Sequence, residues 1–318
     1  MTSTLPLPAQ APPLTERVRV SIVIVNWNTR DLLLGLLGSL LPDGSPAAGT
    51  EVIVVDNQSQ DGSVEAAHEL FPHAHVVAET HNFGFAHGVN RGIAVARGEW
   101  VLLLNTDAEA DPKTIAALVA EADLHPDAAI FGPRIIDEHG NPQRSTWPRH
   151  RPWSAALVAL VPGKLLDPGR SPAQSANVDC VSGCVFLVRR SAFVTLGGFD
   201  ERFFLYFEEA DFCERARRHG FGVRHLPATS FVHRGGLSSA QAAVRTFLAF
   251  RESLLLYHAA FFGRWAAEWV RAWLLLGSLV RLPLCVLRPR RIPLHAAAIR
   301  WLARPTLVRE LEIGRAHV

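Results

Sequence analysis

From Val18 to Phe131 the chain alternates short apolar runs with segments of helical period, and three of those runs lead straight into an amide or a carboxylate. Val18–Val25, Val52–Val55, His75–Ala78, Trp100–Leu104 and Ala128–Phe131 read as strands, the first buried on both faces. Asp31–Leu41, Gly62–Leu70, Ala86–Ala96 and Pro112–Leu124 read as helices, the last with proline in its first turn. Strands separated by helices at this spacing predict a mostly parallel sheet covered by helices. Ligands of such sheets sit beyond the carboxyl ends of the strands. Asn26, Asp56 and Asp107 each stand just after an apolar strand, so position alone marks them as site candidates.

The rest of the chain is less regular. Residues 133–177 are rich in Pro, Arg and Ser and read as a long loop region over the site. Val178–Val188 and Val223–Leu226 read as further strands. Between them Gly197-Gly198-Phe199-Asp200 turns into an aromatic and acidic stretch, Phe203 to Asp211, followed by an Arg-rich helix to His219. Residues 1–17 carry no periodic pattern and read as a flexible lead-in. Glu312 to Val318 matches what a common sequencing-adapter oligonucleotide would encode, so 312–318 is expected to be a non-native tail.

Composition excludes several classes. With 48% hydrophobic and 19% charged residues the chain is a folded globular one. A net charge of +2 gives no bulk attraction to nucleic acid. The charge is polarised, however: residues 241–311 hold eleven Arg against three Glu, a basic segment on an acidic body. Four cysteines form no CxxC pair and no zinc spacing. No signal-peptide pattern opens the chain, and the uncharged apolar stretches 253–263 and 272–280 fall short of the roughly 20 residues that span a bilayer. The expectation is a reduced, cytoplasmic protein without a membrane span.

Dinucleotide chemistry needs G-x-G-x-x-G where the first strand enters its helix. The chain has Asn26-Trp27-Asn28-Thr29-Arg30 there and no P-loop elsewhere, which disfavours NAD and ATP chemistry. It offers carboxylates and amides instead. Asp107 could hold Mg²⁺ or Mn²⁺ on a diphosphate, or cap the helix beginning near Pro112. Glu208, Glu209 and Asp211 beside an aromatic run could supply a general base, or serve as first-turn acids balanced by Arg215, Arg217 and Arg218. His233 could be a metal ligand or a structural loop histidine.

Taken together, five ordered segments resemble a known family. Val20 to Asn26, Val54-Val55-Asp56-Asn57 with Asp61-Gly62-Ser63, Asn82-Phe83-Gly84-Phe85 with Asn90, Leu104-Asn105-Thr106-Asp107, and Gly197 to Glu201 through Glu208-Glu209-x-Asp211 occur in the order of family-2 inverting glycosyltransferases, rhamnosyltransferase-like branch. The resemblance covers about residues 18–236. It implies a GT-A fold, an α/β architecture with a Rossmann-like, mixed but mostly parallel sheet over 18–239, here carrying a basic amphipathic helical extension over 240–311. By resemblance Asp56 contacts the nucleotide base, and Asn26, Asn82, Asn90 and Asn105 line the nucleotide-sugar pocket. Asp107 ends the family's Asp-x-Asp metal motif, with Asn105 in place of its first carboxylate. Glu209, paired with Glu208, matches the catalytic base, where Asp is commoner, and His233 falls where some members place a further metal ligand.

The implied reaction is a single displacement on a nucleoside-diphosphate sugar, dTDP-rhamnose first and a UDP-sugar second, with Mg²⁺ or Mn²⁺. The acceptor would be a cell-envelope or lipid-linked glycan at the inner face of the membrane. A sugar-nucleotide-binding protein without catalysis is the alternative from another class, and Glu209 and Asp107 argue against it. For the basic extension there are two readings: an interfacial helix attracted to anionic lipid, or helices packed on the catalytic body with a solvated Arg face.

Overall fold

The computed structural model describes residues 17–160, 171–235, 243–285 and 288–312. Residues 1–16 of the lead-in and the last six residues of the chain lie outside them, as do residues 236–242. In chain order the elements are β1 (Val20–Asn26), α1 (Arg30–Leu40), β2 (Thr50–Asp56), α2 (Ser63–Leu70), β3 (His75–Ala78), α3 (Phe85–Val95), β4 (Trp100–Asn105), β5 (Ala108–Glu109), α4 (Pro112–Asp123) and β6 (Ala128–Ile136). There follow β7 (Pro142–Gln143), β8 (Thr146–Trp147), α5 (Pro152–Leu160), β9 (Ala176–Asn177), β10 (Cys180–Val181), β11 (Val185–Arg189), α6 (Arg190–Thr195), α7 (Glu208–Arg218) and β12 (Gly222–His233). The chain ends in α8 (Ala243–Phe262), α9 (Arg264–Leu284), α10 (Ile292–Leu302) and α11 (Leu307–Glu312).

Among the described residues one mixed sheet runs β3-β2-β1-β4-β11-β6-β12-β5, with β7 on β6 and β9 on β12, while β8 and β10 pair apart. β3, β2, β1 and β4 are parallel, and β11 enters antiparallel beside β4. Alternation along the strands splits the core in two. Ile22, Ile24, Val52 and Val54 face the leucines of α1 and the inner side of α4. Val23, Ile53 and Val55 face α3, and the same cluster continues through Phe186 and Phe212 into Leu254–Leu256 of α8, Val270 of α9 and Leu302 of α10. The C-terminal helices are therefore packed on the sheet's own core.

Helix α3 lies close to β1 because Gly92 has no side chain: a Cβ there would come within 2.4 Å of Val23 Cγ1 and 3.2 Å of Val55 Cγ2. Gly92→Val is expected to lower stability by about 1–3 kcal/mol, since overpacking outweighs the smaller gain in helix propensity. Urea unfolding checks this; an unchanged midpoint would mean that α3 can shift freely.

Three expectations change. Residues 133–177 are not one long loop: β6 continues to Ile136, and β7, β8 and α5 follow. Pro133 is tolerated in β6 because β11 pairs only with Ile130 and Phe131, so that flank has no β11 partner beyond them. Val178–Val188 is two strands, since Ser182 N donates to Ser145 O (2.9 Å) while Cys184 O accepts from Asn105 N (3.0 Å), directing the halves to different sheets. The strand expected at Val223–Leu226 runs on to His233 through a register shift between Leu226 and Ser230, beside Pro227.

Candidate active site

Register fixes where the polar strand ends meet. Asn26 pairs with Asp56 across β1 and β2, and Val25 with Asn105 across β1 and β4, so all three strands finish on one edge. A cavity of about 270 Å³ opens there, walled by Val25, Trp27, Asn57, Asn82, Asn105, Thr106, Asp107, Tyr206 and His233, with Arg245 of α8 closing one side.

The sequence candidates divide between the cavity wall and its frame. Asn82, Asn105, Asp107 and His233 reach the wall. Asn26 is fully buried behind it: its amide donates to Asp56 Oδ1 (2.7 Å) and to Ser59 Oγ (3.1 Å), and accepts from Thr29 Oγ1 (2.7 Å). Asp56 also accepts from Ser59 N (2.7 Å), so these residues brace the loops after β1 and β2. Asn90 exchanges two hydrogen bonds with the Phe199 backbone, both 2.9 Å, which anchors the Gly197-Gly198-Phe199-Asp200 turn. Gly84 brings the Asn82–Phe85 segment against the opposite wall. Its φ is +98°, and a Cβ would lie 2.5 Å from Phe204 O, the atom that accepts from Phe85 N (2.8 Å).

Asp107 is not a helix cap. That role belongs to Asp111, whose Oδ1 accepts from Lys113 N (2.8 Å) and Thr114 N (3.0 Å). Asp107 is 3% exposed, and its Oδ1 is enclosed without a hydrogen-bond donor. The pairing of β5 with β12 sets His233 opposite Ala108, and His233 Nε2 stands 3.3 Å from that orphaned oxygen. Gln143 fixes the ring. Its Nε2 donates to His233 O (2.6 Å), so its Oε1 is the atom facing His233 Nδ1 at 3.1 Å. The proton then resides on Nδ1, and Nε2 turns a lone pair toward a carboxylate oxygen. Two acceptors this close are reconciled either by a second proton on the ring or by a cation between them, and their separation is near the roughly 3 Å between adjacent ligands of an ion bound at about 2.1 Å. Asp107 and His233 therefore fit a divalent cation. Among the described residues no third His, Cys, Asp or Glu joins them, so substrate and water oxygens would complete the shell.

Glu208 and Glu209 open α7 two and three residues past Tyr206 of the cavity wall, and neither lines the cavity itself. They follow Tyr206 and Phe207, whose φ values of 70° and 67° are unusual for aromatic residues. Phe207 is held there by rings of His150, Phe250 and Tyr257, 4.8–5.7 Å away. Among the described residues the other left-handed non-glycine residues, Asn28 and Gln58, are in the loops after β1 and β2, so this strain is confined to the site. Glu208 is buried; the residue Glu209 is only partly so, but its Oε2 is enclosed and unpartnered. Burial, with the charge of Glu209, holds the Glu208 carboxyl well above the usual range. Burial likewise pushes Glu209 up to about 6, against backbone N–H groups at the helix start. Cys184 ties the two halves together: burial raises its thiol to about 12, and both Asp107 and Glu209 add to that.

Sequence reasoning did not single out Asn57, Gln143, Trp27 or Arg245. Asn57 was visible as the neighbour of Asp56; it is buried, donates to Gly84 O (3.0 Å) and leaves Oδ1 unpartnered at the cavity. Gln143 and Arg245 are brought in by tertiary packing and carry no local signal.

Residues 21–197 match the model of glycosyl transferase family 2. The chain is 31% identical over 257 residues to N-acetylglucosaminyl-diphospho-decaprenol L-rhamnosyltransferase of Mycobacterium tuberculosis, covering 72% of this chain and 80% of that one. It is 26% identical to a low-salt glycan biosynthesis hexosyltransferase of Haloferax volcanii, with 76% of each chain covered. In fold it is similar to TarS 1-349 of S. aureus, solved with UDP-GlcNAc, with a TM-score of 0.51, 15% identity and coverage of 93% and 88%. The sheet order, the cavity at its carboxyl edge and these likenesses agree: the chain belongs to glycosyl transferase family 2 and has the GT-A fold.

Proposed function

We propose that the protein is an inverting, divalent-cation-dependent glycosyltransferase that moves rhamnose from a nucleoside-diphosphate donor to a lipid-linked glycan acceptor. The observation that carries this reading is Asp107 facing His233 at 3.3 Å across an unsatisfied gap, with Glu209 brought near by the Gly183-Cys184 segment: a Cβ on Gly183 would lie 3.7 Å from Glu209, and Cys184 O accepts from Asn105 N (3.0 Å). The mycobacterial relative, named for transfer of L-rhamnose to a diphospho-decaprenol glycan, supports the sugar and the acceptor class.

In this mechanism Trp27, Asn57, Asn82 and Asn105 hold the donor in the cavity, and Arg245 brings positive charge to its wall. Glu209 accepts the proton of the acceptor hydroxyl, whose oxygen attacks the anomeric carbon from the face opposite the diphosphate. The bond from anomeric carbon to diphosphate oxygen breaks, the nucleoside diphosphate departs, and the anomeric configuration inverts. A cation held by Asp107 and His233 would offset the charge growing on the leaving group. Burial and the charge of its neighbour hold the Glu208 carboxyl well above the usual range, so Glu209 is the carboxylate of the pair that loses its proton more readily and cycles.

Thermal stability with a panel of nucleoside diphosphates, each with Mn²⁺ and with chelator, tests the donor assignment. A cation-dependent rise larger for dTDP than for UDP supports it. A larger UDP shift transfers the assignment to a UDP-sugar, and no shift with any nucleotide removes it. Gln143→Leu frees the His233 ring and is expected to weaken Mn²⁺ binding about 10–100-fold in the presence of nucleotide; an unchanged Mn²⁺ titration would contradict the role of the ring's orientation.

A further inference from the structure

Beyond the exposed Arg264 at its first residue, the solvent face of α9 is apolar. Trp265 (83% exposed), Trp269, Leu276, Leu279, Val280 and Leu284 (65%) recur at helical spacing along one stripe. Ala272 and Pro283 fill the remaining turns, so the stripe itself carries no charge. Over 21 residues it runs about 30 Å. This is the reverse of a solvated Arg face. Of the three arginines of the helix, Arg264 is exposed at its first residue, and the other two fold back onto main-chain carbonyls: Arg271 donates to Leu302 O (2.5 Å) as well as to Glu268 (2.7 Å), and Arg281 donates to Ala159 O of α5. Helix α5 packs on α9 and exposes Trp153 and Leu157, one turn apart. Past the C-terminal end of α9, Arg288, Arg290 and Arg291 are exposed on a short 3₁₀ turn.

A monomer in water leaves so long an apolar strip uncovered at a cost, which marks it as an interaction surface. No helix among the described residues is long and apolar enough to cross a membrane, so the strip is suited to lying on a surface rather than passing through it. Tryptophan suits the boundary between headgroups and acyl chains. The flanking arginines select the occupant. A second copy of the chain packed antiparallel or parallel on this strip would bring like charges toward one another or leave them unanswered, whereas anionic headgroups neutralise them.

We propose that α9, extended by Trp153 and Leu157 of α5, is a docking face for an anionic bilayer surface, with the α9 stripe entering the headgroup layer and Arg288, Arg290 and Arg291 meeting acidic lipid. The face is read from burial and charge alone, so it stands or falls separately from the donor and acceptor assigned above.

Flotation of the full-length chain with phosphatidylcholine vesicles, with and without phosphatidylglycerol, tests it. The chain is expected to float with the anionic vesicles, and less so as salt rises. The triple variant Trp265→Ser, Trp269→Ser, Leu276→Ser should lose at least about tenfold in partitioning. Arg288→Gln, Arg290→Gln, Arg291→Gln should lose about a hundredfold on anionic vesicles and little on neutral ones. All six side chains are exposed, so melting temperature and nucleotide-linked stabilisation should be unchanged in both variants, which separates lost docking from lost folding. Failure of the wild-type chain to float, or equal flotation of the Trp/Leu variant, overturns the proposal. So does a dimer in light scattering that the Trp/Leu variant abolishes without any vesicle binding, because the occupant is then a second copy.

Discussion

Glu209→Gln is expected to lower turnover about 10²–10⁴-fold while donor and cation still bind, because an amide cannot take the acceptor's proton. The same carboxylate sets the pH dependence. Its pKa is raised to about 6, so the wild-type rate should fall as pH drops through about 6 and Glu209 becomes protonated. Glu208 is held the higher of the two and the charge of Glu209 is part of the reason, whereas burial alone raises Glu209, so Glu208→Gln should leave the acid limb near pH 6. Stability moves the opposite way to activity. The folded pKa lies above the ordinary 4.5, so the native state holds the proton more tightly than the unfolded chain. Glu209 is therefore without cost below about pH 4.5, and its cost grows as pH rises to about 6 and levels off above, at about 2 kcal/mol. Glu209→Gln should melt above the wild type at pH 8 and level with it at pH 4. A variant that kept most of its activity, or that melted lower at pH 8, would remove Glu209 from the role of base.

Asp107→Asn is expected to cost on the order of 10³-fold in kcat/KM, the scale of losing one electrostatic contact to a developing charge. It should not cost stability. The carboxylate is buried with one oxygen unsatisfied, and without a cation its charge is a burden that the amide lifts. Melting of the protein alone should thus be unchanged or raised, while the further rise that Mn²⁺ gives with nucleotide should vanish. A lower melting temperature with the Mn²⁺ response retained would make Asp107 a structural residue.

Much of this was legible in the chain itself. The apolar runs of β1, β2 and β4 ending at Asn26, Asp56 and Asn105 give both the sheet and the edge where a ligand sits, because parallel strands place their C-termini together. Local pattern could not separate wall from frame. Asn26 and Asp56 stand at that edge, yet they satisfy each other and face inward, whereas the next residues, Trp27 and Asn57, reach the cavity. The period-2 geometry of a strand end makes that difference, and a one-residue change of phase reverses it. Sequence also left Asp107 between two roles, which the Asp111 cap resolves. Gln143 and Arg245 were out of reach because β7 and α8 approach the site only through tertiary packing, 36 and 138 residues along the chain from Asp107. The basic extension shows the same limit from the other side. Its charge was plain, but whether arginine or tryptophan faces water depends on which carbonyls the guanidinium groups find.

The most direct measurement is a transfer assay with purified chain, dTDP-rhamnose and an N-acetylglucosaminyl diphosphate carrying a lipid tail, the product's mass and anomeric configuration read by mass spectrometry and NMR. The account predicts a rhamnosylated acceptor whose anomeric configuration is inverted relative to the donor, formed only with a divalent cation and lost in Glu209→Gln. A product of retained configuration, or transfer at full rate in chelator or in Glu209→Gln, would contradict it.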